Sequence, residues 1–293
     1  MRWLSFIIGV FLTACALPPT TRSDPLLYDP AQTGRAETVV IGIPGALTPI
    51  TVLSPMERFR TSRRAVVYYR LPGFDGRPGG EAIDIGFAAD RITRFVQENA
   101  LSRVHLIGHS TGAAIAFESA IRIRSTLPET EVQVAAISSA LPAPQPTLAG
   151  IRGGLGTLAA AARVGSLNPR KVWLEYYRVL AYGRGSRRTR QVAAAADQLV
   201  AANEGRIEIP QDGLARRHWT AIRRWPGPEV EALEGVPVTF FHGAGDPVFP
   251  LPALRRFSAT LPDAKIIAYQ DNGHLLFLSY PQVWQDVSAA FGF

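Results

Sequence analysis

The chain has 293 residues, 47% of them hydrophobic and 19% charged. That composition excludes a wholly disordered or coiled-coil chain, and the length suits one large domain or two modest ones. One cysteine, Cys15, excludes a disulfide framework and a zinc site of cysteine ligands. The formal net charge is +7, and arginine carries nearly all of the basic side, since Lys171 and Lys265 are the only lysines.

Residues Met1 to Cys15 read MRWLSFIIGVFLTAC: one positive charge at Arg2, an apolar run from Trp3 to Leu12, then small residues. This is the pattern of a signal peptide, and the run is shorter than the roughly 20 residues that span a bilayer. Leu12, Thr13, Ala14 and Cys15 resemble the bacterial lipobox. The resemblance implies a signal peptide over residues 1–14, cleavage before Cys15 and a diacylglycerol on its thiol. Residues 15–33, with four prolines, then read as the lipidated cysteine and a tether. By the sorting rule that this resemblance carries, Ala16, in place of an aspartate after the cysteine, implies the outer membrane facing the periplasm if the source is Gram-negative. The expected location is the bacterial cell envelope, with the chain anchored and not spanning.

Beyond the tether, strands and helices alternate. Thr38–Ile43 (TVVIGI) and Ala65–Tyr69 (AVVYY) are apolar, β-rich runs, each closed by Pro and Gly. A helix from about Glu81 to Asn99 leads into a strand at Val104–Ile107, and a helix over Thr111–Arg124 leads into a strand at Val132–Ile137. The theme returns with a strand at Val236–Phe241, a helix at Leu251–Leu261, a strand at Lys265–Tyr269 and a last helix from about Pro281. Such alternation predicts an α/β fold, a mostly parallel sheet with helices on both faces.

Residues 144–232 interrupt the alternation. Helical stretches such as Val172–Leu180 and Gln191–Ala202 occur there between Gly and Pro, with no central strand, so the segment reads as a helical cap over the strand ends. The core is then 34–143 with 233–293. The cap holds 14 basic and 7 acidic residues, which leaves the rest of the chain neutral.

Gly108, His109, Ser110, Thr111 and Gly112 form G-x-S-x-G between an expected strand and an expected helix. Chance gives roughly 0.1 such match in a chain of this composition, so the flanking elements carry the weight. A strand-to-helix turn this tight strains the serine backbone, and only glycine fits at the flanking positions Gly108 and Gly112. On these residues the chain resembles the α/β-hydrolase family. The resemblance implies an acid after a later strand and a histidine after the last one. Asp246 in HGAGDPVFP and His274 in QDNGHLLF stand there, in the family's order.

What the resemblance implies is acyl transfer. Ser110 is the nucleophile, His274 takes and returns its proton, and Asp246 orients the imidazole. Thr111 N–H is one oxyanion donor by the geometry of the turn, and the second comes from IPGALTP, with Ala46 aligned as the donor and Leu47 as the alternative. The histidine that many relatives carry in that loop is missing. Read alone, Ser110 could be a helix cap, Asp246 a turn residue and His274 a loop residue. His105, His109 and His242 read as packing or hydrogen-bonding residues, and Asp271 is too near His274 to orient it. No metal and no cofactor are expected, because no histidine pair with a carboxylate has ligand spacing.

In the cap, Trp173, Tyr176, Tyr177, Tyr182, Trp219 and Trp225 could line a lid or fasten it to the core. Arg184, Arg187, Arg188, Arg190, Arg216, Arg217, Arg223 and Arg224 could attract anionic head groups or form a solvated basic face. Nucleic acid is a poor partner for an exported, anchored chain. The expected activity is hydrolysis of carboxylic esters, small or lipidic. Thioesters, lactones, amides, peptides and acyl transfer are alternatives on the same three residues, as is a non-catalytic envelope binding protein.

Overall fold

The computed structural model describes residues 24–183, 185–186, 188–203 and 213–293. Cys15, the signal peptide and the first part of the expected tether lie outside them, as do Arg184 and Arg187. Seven strands are described: β1 (Leu26–Leu27), β2 (Thr38–Ile43), β3 (Arg64–Tyr69), β4 (Arg103–His109), β5 (Glu131–Ile137), β6 (Val238–Gly243) and β7 (Ala264–Tyr269). They form one sheet in the order β1-β3-β2-β4-β5-β6-β7, in which only β1 runs antiparallel.

All of β2 is buried, and β4 is buried after its first residue. That is why they are unbroken apolar runs: a parallel strand covered on both faces has no solvent side to alternate with. On one face lie helices α2 (Ile85–Glu98), α3 (Thr111–Thr126) and α8 (Leu251–Ser258), around Ile41, Val67, Phe95, Phe117 and Phe240. The other face is covered by a 3₁₀ helix (Ile50–Phe59) and by α10 (Val283–Ala290), around Met56, Phe59 and the fully buried Trp284. Helix α2 starts four residues later than the apolar spacing suggests. Asp84 caps it, accepting from Phe87 N–H at 2.9 Å, and the preceding Pro-Gly-Gly stretch cannot prolong it.

The tether ends sooner than residue 33. Leu26 is buried in the β1 pairing with β3, Arg70 N–H donates to Pro25 O at 2.7 Å, and Asp24 pairs with Arg91 on α2. Helix α1 (Pro30–Thr33) follows, capped by Asp29. Residues 24–33 are therefore part of the fold. Two strand residues are too few for a periodicity to show in the sequence.

Between β5 and β6 the chain forms four cap helices: α4 (Gln145–Val164), α5 (Pro169–Tyr182), α6 (Arg190–Asn203) and α7 (Leu214–Arg223), with no strand among the described residues. Small residues let these helices approach. A Cβ on Gly150 would lie 2.7 Å from Trp219 Nε1 on α7, and one on Gly156 would lie 2.6 Å from Tyr176 Cε2 on α5. A short helix α9 (Leu276–Ser279), not foreseen in the sequence, follows the last strand.

Candidate active site

Strand β4 ends at His109 and α3 begins at Thr111, so the whole turn is Ser110, at φ 51° and ψ −117°. A non-glycine residue held there costs on the order of 1–3 kcal/mol. Its surroundings impose it: Ser110 N–H donates to Ile137 O at 3.0 Å, and Ser110 O accepts from Ala113 and Ala140 N–H at 2.9 and 3.0 Å. The glycines answer to contact. A Cβ on Gly112 would lie 2.1 Å from Ile43 O, and one on Gly108 would lie 2.5 Å from Ala113 Cα. Gly45 in the loop after β2 has the same constraint, since its Cβ would meet His109 at 2.6 Å and Ser110 Cβ at 2.9 Å.

Two further loops converge on Ser110 at the same end of the sheet. Asp246 follows β6, and its Oδ1 accepts from Val248 and Phe249 N–H at 2.7 and 3.0 Å. That leaves Oδ2 for His274 Nδ1–H, at 2.8 Å. His274 Nε2 then faces Ser110 Oγ at 3.0 Å as an acceptor. A carboxylate only accepts, so Nδ1 carries its proton toward Asp246, and in the neutral imidazole this leaves Nε2 unprotonated toward the serine. All three residues are buried. Burial opposes the charge on Asp246, but the partial charges and hydrogen bond of His274, with His242 and the Phe249 amide, outweigh it and hold the carboxyl below its ordinary range.

The histidine loop is gripped by the cap. Gly273 N–H and Leu275 N–H donate to Ala181 O and Leu180 O at 2.7 and 2.9 Å, so two carbonyls at the end of α5 bracket His274. Three backbones crowd together here. A Cβ on Gly273 would lie 2.4 Å from Leu180 O, and one on Gly183 would lie 2.4 Å from Gly245 O. His274 O accepts from His109 Nε2–H at 3.3 Å, and His242 Nε2–H donates to Phe249 O at 2.8 Å. Both rings belong to this hydrogen-bonded support, and His109, pushed down to about 3 by burial and by His274, stays neutral.

The loop after β2 is held by a residue that sequence reasoning missed, His218. Leu47, at φ 61°, donates its N–H to His218 Nδ1 at 3.2 Å, and His218 Nε2–H donates to Pro72 O at 3.0 Å. His218 stands on α7, 171 positions along the chain, so only the cap's docking brings it to this loop. The ring is fully buried, and burial pushes its pKa down to about 4, which keeps Nδ1 free to accept. Leu47 N–H is thus engaged, whereas the amides of Ala46 and Thr111 donate no hydrogen bond among the described residues.

Ser110 and His274 open into a cavity of about 480 Å³. Trp173, Tyr176, Tyr177 and Trp219 line it from the cap, with Val52 from the 3₁₀ helix and Leu275 from the histidine loop. Among the described residues, no Asp, Glu, Lys or Arg lines it. Tyr182 and Trp225 are not in the lining. Trp225 instead fastens the cap to the core, stacked on Phe117 at 6.4 Å and donating to Glu118 Oε1 at 2.8 Å. Among the described residues, no group of three or more His, Cys, Asp or Glu side chains could hold a metal ion.

A model of the alpha/beta hydrolase family matches residues 40–286. The chain belongs to that family. Its sheet, flanked by helices and mostly parallel, is the alpha/beta hydrolase fold. A pimeloyl-(acyl-carrier protein) methyl ester esterase of Aromatoleum aromaticum is 45% identical over 53 residues, which are 17% of this chain and 21% of that protein. The match thus spans about a fifth of that relative's length. A protein assigned as a non-heme bromoperoxidase from Mycobacterium tuberculosis superposes with a TM-score of 0.67 at 16% identity, over 91% of this chain and 95% of that one. A thermophilic esterase from Thermogutta terrifontis superposes at 0.62 and 14% identity, over 91% and 92%. At such identities these two likenesses speak for the fold alone.

Proposed function

We propose that this hydrolase is a serine esterase that cleaves uncharged carboxylic esters through an acyl-enzyme. The observation that carries the reading is the continuous line of hydrogen bonds from Asp246 through His274 to Ser110, opening into a cavity whose described lining has no Asp, Glu, Lys or Arg. In this reading Ser110 Oγ attacks the ester carbonyl as His274 Nε2 takes its proton, and the imidazolium so formed is held by the Asp246 carboxylate. The tetrahedral oxyanion accepts from the Ala46 and Thr111 amides. Collapse expels the alcohol, to which His274 returns the proton, and water then frees the acid by the same steps. An apolar, aromatic-lined cavity favours neutral acyl and alkoxy groups, because a charged group there would lose its hydration without a counter-charge.

Attachment to a membrane through a lipidated Cys15 remains part of this proposal. Its support is the sequence from Leu12 to Cys15, and incorporation of labelled palmitate that Cys15→Ser abolishes is its check.

Hydrolysis of p-nitrophenyl esters of increasing acyl length tests the reaction. Ser110→Ala is expected to lower kcat by roughly 10³-fold or more on the best ester while the thermal transition stays in place. The acyl length at the optimum then measures the cavity. A folded wild type that matches Ser110→Ala on every ester would refute the esterase reading.

A further inference from the structure

Helix α4 is amphipathic the wrong way round. Its inward face is made of small residues: Gly150 against Trp219, Gly156 against Tyr176, and the buried Ala160. Its large apolar residues point the other way. Leu148, Ile151, Leu155 and Leu158, spaced as one helical stripe, are 38%, 56%, 62% and 68% exposed, and Leu167 in the following turn is 88% exposed. Burying one such side chain is worth about 1.5–3 kcal/mol, so a helix that serves only its own fold places leucine inside and glycine or alanine outside. A contiguous exposed stripe of this kind marks a surface that meets something apolar.

The charge around the stripe says what that is. Between Glu131 and Glu175 the chain has no Asp or Glu, but it has Arg152, Arg163, Arg170 and Lys171, of which Arg163 pairs with Glu175 at 3.0 Å and Arg152 donates to Val248 O at 3.1 Å. Helix α7, which packs on α4 through Trp219, likewise has no carboxylate from Gly213 to Pro228, and it carries the exposed Arg216 and Arg223. Arg223 rests over the Trp219 ring at 5.0 Å. An apolar ridge whose rim is mostly positive among the described residues fits the interface of an anionic bilayer, where leucines enter the acyl boundary and arginines remain among the head groups. A second copy fits badly. It would set this positive face against itself, and five apolar side chains fall far short of the roughly 20 residues per side in a stable protein interface.

We propose that the outer face of α4, with Leu167, docks this hydrolase onto an anionic lipid surface. Pro146, Ala149 and Gly150 on the inner side of the same helix line the cavity, so docking would set the cavity against the lipid. The surface is independent of the esterase reading, and its test needs no catalysis.

The test uses the full-length chain with Cys15→Ser, carrying a polarity-sensitive fluorophore on a single introduced cysteine: Leu155→Cys, Leu158→Cys or, as a control, Glu129→Cys on the loop before β5. Phosphatidylcholine vesicles containing phosphatidylglycerol should raise the emission at 155 and 158 several-fold and shift it to the blue, with little change at 129. Pure phosphatidylcholine should give a weaker response, and added salt should diminish the one seen with phosphatidylglycerol. Ile151→Glu combined with Leu155→Glu should lower vesicle affinity about tenfold or more and leave hydrolysis of a dissolved short-chain ester unchanged. The proposal is overturned if the labels at 155 and 158 stay silent while the protein floats with the vesicles. It also fails if their emission changes with protein concentration in the absence of lipid, which means a second copy. Blue emission without lipid at every concentration, abolished by Ile7→Glu with Ile8→Glu, means that the chain's own N-terminal run covers the stripe.

Discussion

The nucleophile end of the sheet and the cap hold their parts in place by different means. At Ser110 backbone meets backbone: Gly112 against Ile43 O and Gly108 against Ala113 leave no room for one more carbon. In the cap, contacts run through side chains, with Trp219 over Gly150 and Arg163 on Glu175 at 3.0 Å between its helices, and Trp225 on Phe117 against the core. The first arrangement fixes atoms for chemistry and reads in the sequence as glycines at set positions. The second shapes a volume and constrains side-chain size more than identity, so it writes no motif.

The sharpest test of that contrast is a pair of identical substitutions. Gly112→Ala is expected to prevent formation of the native fold or to cost more than about 3 kcal/mol, since the new Cβ would sit 2.1 Å from Ile43 O and neither backbone can retreat. Gly154→Ala, in the middle of α4 with nothing within 4 Å of its Cβ position, should raise stability by about 0.5–1 kcal/mol through helix propensity. Denaturant titration of the two variants reads both. Equal effects would erase the distinction drawn between the two regions.

Acid should attack the sheet core before it touches the ion pairs of the surface. Burial pushes His105 and His218 down to about 4 and His109 to about 3, whereas in the unfolded chain each takes a proton near 6.5. Between those values the unfolded state binds more protons, so stability falls as the pH drops from about 6.5 toward 4, by up to about 1.4 kcal/mol per pH unit for each histidine. Asp246 acts in the same direction at lower pH: its held-down carboxyl contributes stability above its ordinary range, and that contribution is lost only in stronger acid. His105 offers a clean check. Among the described residues neither of its ring nitrogens has a hydrogen-bond partner, and the ring packs on Phe291 at 4.4 Å. His105→Phe should therefore leave the neutral-pH melting temperature nearly unchanged and flatten its decline on acidification. An unchanged slope would mean that other groups carry the acid sensitivity.

His218 is where the two regions meet, and its effect should be smaller. His218→Ala frees Leu47 N–H and loosens the loop that presents Ala46. We expect kcat on the best ester to fall about tenfold with a lesser change in KM, and His218→Gln, which can still accept from Leu47, to recover part of it. A loss confined to KM would make His218 a wall of the cavity and not a positioning residue.

The sheet, its order of elements and the meeting of Ser110, Asp246 and His274 were legible because each rests on a local rule: an apolar run closed by Gly or Pro, and a chemically distinctive residue directly after a strand. Element ends shifted where a cap decided them, as at Asp84. What was not legible depends on distant contact. Residues 24–33 read as a tether because β1 has two residues and its anchor, the pairing of Asp24 with Arg91, spans 67 positions. His218 was invisible for the same reason, and so was the grip of Leu180 and Ala181 on the His274 loop. The six cap aromatics were named together, but only the structure separates the four that line the cavity from Trp225, which is glue, and Tyr182.

The central claim is that the bonds from Asp246 through His274 activate Ser110 and no other serine. Intact-mass and peptide analysis after exposure to a fluorophosphonate tests it directly. The account predicts one adduct, on Ser110, formed at least roughly 10³-fold more slowly in His274→Ala. A wild type that stays unmodified, or labelling of Ser110 that is indifferent to His274, would contradict it.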